Sequence, residues 1–374
     1  MPGFSDILGN EMIKEYFQRT LSNGQISHAY ILTGEAGMGR KTLAKTFAMT
    51  LLCEENHEIH GNYDPDQISL FDDMSFMDSS NSLSNEIAQN EMEAGSYTGK
   101  VKDPCGQCHS CIQFQTDNHP DVIYVTHAKE GIGVDDIREQ INGTVQIKPY
   151  SSPYKIYIVD EAEKMTIQAQ NALLKTLEEP PAYVVILLLT TRADSFLPTI
   201  LSRCITLKLK PLYDEVIREY LMDRLHVQKE DADVYTAFAR GNLGKAIALS
   251  SSDSFADMRY SVMSLLRNAR NIDTILMLET VKRWKEDRLN IQECLEFMQL
   301  WYRDVLMFKA TQDMAGLIFR EEYKHIRETS TKSSFYGIEK ILEAIDKAEQ
   351  RLEANVNYEL AMELLLLTIK ENSL

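Results

Sequence analysis

Five short apolar runs, HAYILT, DVIYVT, KIYIVD, YVVILLLTT and CITLKL, punctuate the first two hundred residues. They are near-continuously apolar rather than alternating, as strands buried on both faces are. Helix-period segments near 10–22, 41–52, 133–145 and 166–179 separate them. Such an alternation predicts an α/β domain over residues 1–210, with a parallel sheet covered on both sides. Strand signal fades from Pro211 onward. Residues 211–252 read as a small helical unit, and 253–374 as longer amphipathic helices ending in NYELAMELLLLTI.

The stretch 54–104 breaks this rhythm, being rich in Asp, Glu, Asn and Ser and poor in aliphatic periodicity. Between Cys53 and Cys105 twelve acids face only Lys100 and Lys102, so this segment carries −10 of the chain's net −17. It offers too little apolar surface to offset the entropy of ordering, and is expected to be a disordered insertion in the first domain. The mildly acidic remainder argues against a chain that grips nucleic acid unaided over a wide surface. A few phosphate contacts inside a complex stay open. No apolar run approaches the ~20 residues of a membrane span, and MPGFSDILGN lacks the basic and apolar regions of a secretory signal. A cytoplasmic location is expected, with no membrane partner.

Chemistry enters at GEAGMGRKT, which follows the first apolar run and opens a helical segment. A working phosphate-binding loop reads G-x-x-x-x-G-K-[ST]; its lysine reaches the β/γ oxygens and its hydroxyl binds Mg²⁺. Gly34, Gly37 and Gly39 are in place, but Arg40 fills the lysine slot, Lys41 the hydroxyl slot, and Thr42 comes one position late. A forked guanidinium does not replace a point-charge ammonium in a tight loop. Lys41 offers no oxygen to a metal. The expectation is a loop that keeps its shape, does not hydrolyse ATP, and is a poor ATP-binding site. KIYIVDEAEKM resembles a Walker B strand ending in Asp160 and Glu161, where a Mg²⁺-binding group and a water-activating base would stand. The plainer alternative is an acid pair complementing a helix N-terminus.

Three of the six cysteines lie in DPCGQCHSC: Cys105, Cys108 and Cys111. Tetrahedral zinc needs a fourth ligand. Cys53, just before the insertion, is the first choice, because closing a long loop costs only logarithmically more than a short one; His109 is the substitute. An iron–sulfur spacing would want a fourth Cys followed by Pro, but residues 115 and 116 are Gln and Thr. One structural zinc is expected, with Cys204 and Cys294 as plain buried thiols. Finally, LPTILSRC places Arg203 at the entrance of the last strand, either as a surface ion-pairing residue or as an arginine finger acting on a neighbour's phosphate.

Taken together, SHAYILTGEAGMGRKTLA, CGQCHSC, HPDVIYV, IVDEAEKMTIQAQNALLKTLEEPPAYVVILLLTT and LPTILSRC resemble the delta-prime family of bacterial DNA polymerase III clamp loaders. The resemblance covers most of residues 1–250 closely and the helical tail by pattern. It implies an AAA+ module at 1–210 with a zinc knuckle at 105–111, a helical lid at 211–252, and a helical collar at 253–374. The collar holds motor and delta subunits with this one in a hetero-pentamer that places the sliding clamp on primed DNA. Delta-prime is the stator of that ring, usually without ATPase activity, and its Arg203 equivalent serves the adjacent motor's ATP site. Where a motor's lid carries an arginine, RGNLGKAI aligns Gly244, and Lys245 beside it points about 100° away on a helix. The acidic insertion departs from compact family members.

The rival expectation is an ATP-hydrolysing motor subunit of the same loader, which would carry an intact GK[ST] and a lid arginine. No constellation of metal-binding acids supports a polymerase or nuclease. Inside the insertion, Gln67-Ile68-Ser69-Leu70-Phe71 resembles the short peptide by which bacterial proteins dock on the sliding clamp. Gln67 would hydrogen-bond at a pocket rim while Leu70 and Phe71 supply apolar anchors. That contact would be auxiliary, and Leu70-Phe71 packing back on the parent domain is the simpler alternative.

Overall fold

The structure, a computed structural model, describes residues 3–57, 103–127, 131–269, 273–287 and 289–372. The docking candidate Gln67, Leu70 and Phe71, with most of the acidic insertion, lies outside the described residues. The chain divides into two compact units, Met1–Lys210 and Pro211–Leu374.

In the first unit the apolar runs form β1 (Ala29–Thr33), β2 (Val122–Val125), β3 (Lys155–Val159), β4 (Val184–Thr190) and β5 (Ile205–Lys208). They pair in the order β2-β3-β4-β1-β5, all parallel, with Ile31 opposite Leu188 on one side and Thr206 on the other. Side chains alternate across a strand. Tyr30 and Leu32 therefore enter one core with Phe17, Phe47 and Leu187, while Ala29 and Ile31 enter a second with Leu173, Leu177 and Leu188. Every residue of β1, β3 and β4 is buried, which is why their sequences are apolar except at the ends, at Thr33, Lys155 and Thr190.

Helices α1 (Glu11–Asn23) and α2 (Arg40–Leu52) cover the first face, α6 (Ile167–Glu178) the second. Thr166 caps α6 by accepting the Ala169 N–H at 3.2 Å. Shorter turns are α3 (Glu54–His57), α4 (His109–Gln115), α5 (Val134–Ile137) and α7 (Pro198–Leu201). The helix expected over 133–145 is only partly α. After Ile137 it widens to π pitch over Arg138–Asn142, closed by Gly143 N–H to Arg138 O at 2.8 Å. There Asn142 leans out to bond the Ala172 carbonyl at 2.9 Å and the Thr176 hydroxyl at 2.9 Å. Side-chain capture of this sort stabilises a local change of pitch.

The insertion was expected to start at residue 54 and end at 104; its edges are ordered instead. α3 is tied down by Asn56 Nδ2 to Thr50 O at 3.2 Å. Asp103 accepts the Phe4 N–H at 2.8 Å and the Ser5 hydroxyl at 2.6 Å. Hydrogen bonds made from polar residues, invisible in a hydropathy pattern, account for the difference.

The second unit is helical: α8 (Asp214–Leu225), α9 (Lys229–Ala239), α10 (Leu243–Ser250), α11 (Asp253–Asn268), α12 (Thr274–Glu286), α13 (Ile291–Thr311), α14 (Tyr323–Lys332), α15 (Phe335–Glu353) and α16 (Tyr358–Asn372). Asn242, Ser252, Asn290 and Ser334 supply side-chain caps to α10, α11, α13 and α15. α8 to α10 share a small core of Ile217, Leu221, Ala232, Ala239 and Ala246. Val234 and Phe238 join instead a larger core around Trp284, Phe297 and Trp301. Among the described residues no helix is long and apolar enough to cross a membrane.

Candidate functional site

The loop Gly34–Gly39 leaves the carboxyl end of β1 and runs into the first turn of α2. Gly37 and Gly39 both sit at φ +91°, a backbone state that a side chain would strain. The shape of a phosphate-binding turn is thus present, with the positive end of α2 behind it. Its contents differ. Glu35 N–H points at the Met38 sulfur, 3.2 Å away, so the Met38 thioether folds back into the turn. Arg40 is buried, and its Nη1 has no partner among the described residues. Lys41 reaches across to Asp160, Nζ to Oδ2 at 3.3 Å. Glu161 is bound by Lys164 at 2.7 Å and stands 4.0 Å from His127 Nε2. Thr42 is exposed on the first turn of α2. Both acids after β3 therefore meet an ammonium group. Mg²⁺ demands oxygen ligands in near-ideal octahedral geometry, and Lys41 competes for the same Asp160 lone pairs.

The four cysteines singled out by spacing converge. The Sγ atoms of Cys53, Cys105, Cys108 and Cys111 all lie within 4.8 Å of one another, with Cys53 and Cys111 buried. Bonds of about 2.3 Å in a tetrahedron put sulfurs about 3.8 Å apart, and Cys105 and Cys111 are separated by 3.9 Å. Backbone N–H groups already face the sulfurs: Cys108 N to Cys105 Sγ at 3.3 Å and Cys111 N to Cys108 Sγ at 3.4 Å. Burial pushes the Cys53 and Cys111 thiols up. Burial also opposes ionisation of Cys105, but N–H groups of Gln107 and Cys108 outweigh it and bring that thiol down. Four thiolates in this space require a cation between them, and the cluster could hold one metal ion. His109 opens α4 and is not part of the cluster.

Behind the cysteines, polar groups tie this knuckle to the sheet. Ser110 Oγ lies 3.0 Å from His119 Nε2, and the Asp121 N–H donates to His119 Nδ1 at 3.1 Å. With Nδ1 accepting, the ring is neutral with its proton on Nε2, and burial lowers its pKa. The Asp121 carboxylate accepts the Ser151 and Ser152 N–H groups at 2.9 and 3.0 Å, holding the loop before β3.

Arg203 stands between α7 and β5 with its side chain 36% exposed. Its Nη2 is 3.0 Å from Glu178 Oε1, and its Nη1 donates to Thr199 O at 3.0 Å. In the second unit, Gly244 lies in the first turn of α10. Lys245 beside it is 3.4 Å from Glu296, which also binds Arg240 at 3.0 Å. Burial pushes the Cys204 and Cys294 thiols up to about 12. Cys294 is buried as expected, whereas Cys204, expected to be buried, is only half-buried, next to the edge strand β5. The motif spacing does not show the partners of the acids. Lys164 was detectable at three residues from Glu161, while the Lys41–Asp160 and Glu178–Arg203 pairs join residues far apart in sequence.

A five-stranded parallel sheet in this order, a glycine turn after β1 and acids after β3 define an α/β fold of the AAA+ type, here followed by a helical region. A family described as DNA polymerase III, delta subunit, matches residues 9–81 and 70–213, and its C-terminal domain matches 254–371. The chain belongs to that DNA polymerase III subunit family. It is 25% identical over 369 residues to DNA polymerase III subunit delta' of Bacillus subtilis, covering 96% of this chain and 95% of that protein. Subunit tau of the same organism is 24% identical over 372 residues, and there the chain, matched over 94% of its own length, spans 58% of the relative's. A solved DNA polymerase III gamma subunit-related protein of Thermotoga maritima aligns at TM-score 0.39 and 20% identity, covering 96% of this chain and 99% of that one.

Proposed function

We propose that this chain is the delta-prime, or stator, subunit of a DNA polymerase III clamp loader. It helps place the sliding clamp on primed DNA without turning over ATP itself. The observation that carries this reading is the Lys41–Asp160 contact at 3.3 Å: an ammonium group sits on the carboxylate that a motor subunit would give to Mg²⁺. The Glu161–Lys164 pair supports it, because an ammonium group at 2.7 Å occupies a carboxylate oxygen that would orient an attacking water. In this reading the metal of the cysteine cluster is a structural zinc, residues 211–252 are the lid, and 253–374 are the collar that joins motor and delta subunits. Arg203, exposed at the surface of the first unit, acts in trans on the neighbouring motor's nucleotide.

The test uses the reconstituted loader. Arg203→Ala leaves assembly intact and lowers the DNA-stimulated ATPase. Fingers of this kind contribute roughly 10³–10⁵ in rate at their own site, diluted here by the other sites. Unchanged ATPase and clamp loading would sink the trans role. The likeness to tau keeps the motor reading testable: ATP turnover by the isolated chain, abolished by Glu161→Gln, would establish it instead.

A further inference from the structure

Two carboxylates, Glu178 and Glu179, close α6. Acids at a helix C-terminus face the negative end of the dipole, so their placement runs against local electrostatics. Glu178 is compensated by Arg203, 3.0 Å away across 25 residues of sequence. The same guanidinium gives its other terminal nitrogen to the Thr199 carbonyl at 3.0 Å and the Ser202 hydroxyl at 3.4 Å. A guanidinium carries five N–H groups in a rigid fork. Nη1 makes both of the hydrogen bonds, Nη2 faces the Glu178 carboxylate as an ion pair, and Nε has no partner among the described residues. Anchors on both terminal nitrogens fix the rotation of the head and leave the Nε side open to an incoming phosphate.

We infer that Glu178 is the positioning residue of Arg203, holding the guanidinium oriented for a neighbour's triphosphate. This rests on the trans role of Arg203 proposed above. Because the pair is exposed, its loss costs the fold little, and Glu178 variants report on orientation rather than on folding.

A double-mutant cycle in the reconstituted loader tests the inference, with assembly followed by gel filtration and ATPase resolved into kcat and KM. Glu178→Ala lowers kcat roughly twofold to tenfold, the range expected of coupled neighbours at the low end of their interaction energies. KM for ATP is unchanged. Glu178→Gln, which keeps an acceptor for Nη2, recovers part of the loss. In the Arg203→Ala background Glu178→Ala has no further effect. If Arg203→Ala itself leaves ATPase unchanged, the trans role fails and Glu178 loses its function with it. If Arg203→Ala lowers kcat while Glu178→Ala does not, or the two losses multiply in the double variant, the trans role stands and the positioning role is overturned.

Discussion

Lys41 places a compact, strongly hydrated charge where a phosphate-binding loop carries a metal-binding hydroxyl. Its contact with Asp160 supplies from within the chain the positive charge that a divalent ion supplies elsewhere. Arg40, one residue earlier, is buried with an unpaired Nη1, a cost that a structural arginine would avoid. Reversal of both positions tests whether these two side chains suffice to silence the loop. The double variant Arg40→Lys, Lys41→Ser is expected to gain Mg²⁺-dependent binding of a fluorescent nucleotide, measured by titration with and without EDTA. If it still binds nothing, the Met38 thioether folded into the turn is the block, since it occupies the Glu35 N–H. The identities at 40 and 41 were legible from spacing alone. Their contacts were not, because Asp160 lies 119 residues further along the chain.

At the scale of elements, the cysteine knuckle joins α2, through Cys53 at its C-terminal end, to α4, which Cys108 caps. α4 has only seven residues, below the length at which a helix is stable alone. A metal at the cluster would therefore hold α4 by coordination, in addition to the burial of Phe114 in the core. Cys53→Ser is expected to lose at least about tenfold in zinc affinity, since even outer-shell partners contribute that much, and to lower the melting temperature of the purified protein. Metal analysis finding full zinc retention would exclude Cys53 as a ligand. The ligand set could be anticipated from C-x₂-C-x₂-C and a lone cysteine before the insertion. The supporting chain through Ser110, His119 and Asp121 could not, because single polar residues carry no spacing signature.

For the whole molecule, the second unit presents an apolar ridge on its last helix. Leu360, Leu364 and Leu367, at helical spacing on one face of α16, are 53%, 42% and 38% exposed. Under the collar reading this row of leucines would be covered by a partner subunit. The chain's net charge of −17 disfavours pairing with a second copy of itself and suits a different, less acidic partner. Under the collar reading, Leu360→Glu with Leu364→Glu leaves helix content unchanged by circular dichroism. It removes the chain from the assembled loader, with association weakened at least about thirtyfold, as for loss of one hot-spot anchor. Co-elution at wild-type concentrations would place the partner surface elsewhere.

Hydrophobic period alone pointed to the strands, the parallel sheet and the helical second half, because burial on both faces, as in β1, β3 and β4, writes itself into consecutive residues. The glycine turn was legible from its motif spacing. Cysteine spacing likewise pointed to the four thiols that the structure brings together. Tertiary structure decided what sequence distance hides: the ammonium on Asp160, the carboxylate on Arg203 and the Asp103 carboxylate on Phe4 at the end of the insertion. Those depend on which strand ends the parallel order brings side by side. Chain contacts separated by tens of residues leave no periodic trace, so pairs such as Lys41–Asp160 exist only once β1 and β3 are aligned in one sheet.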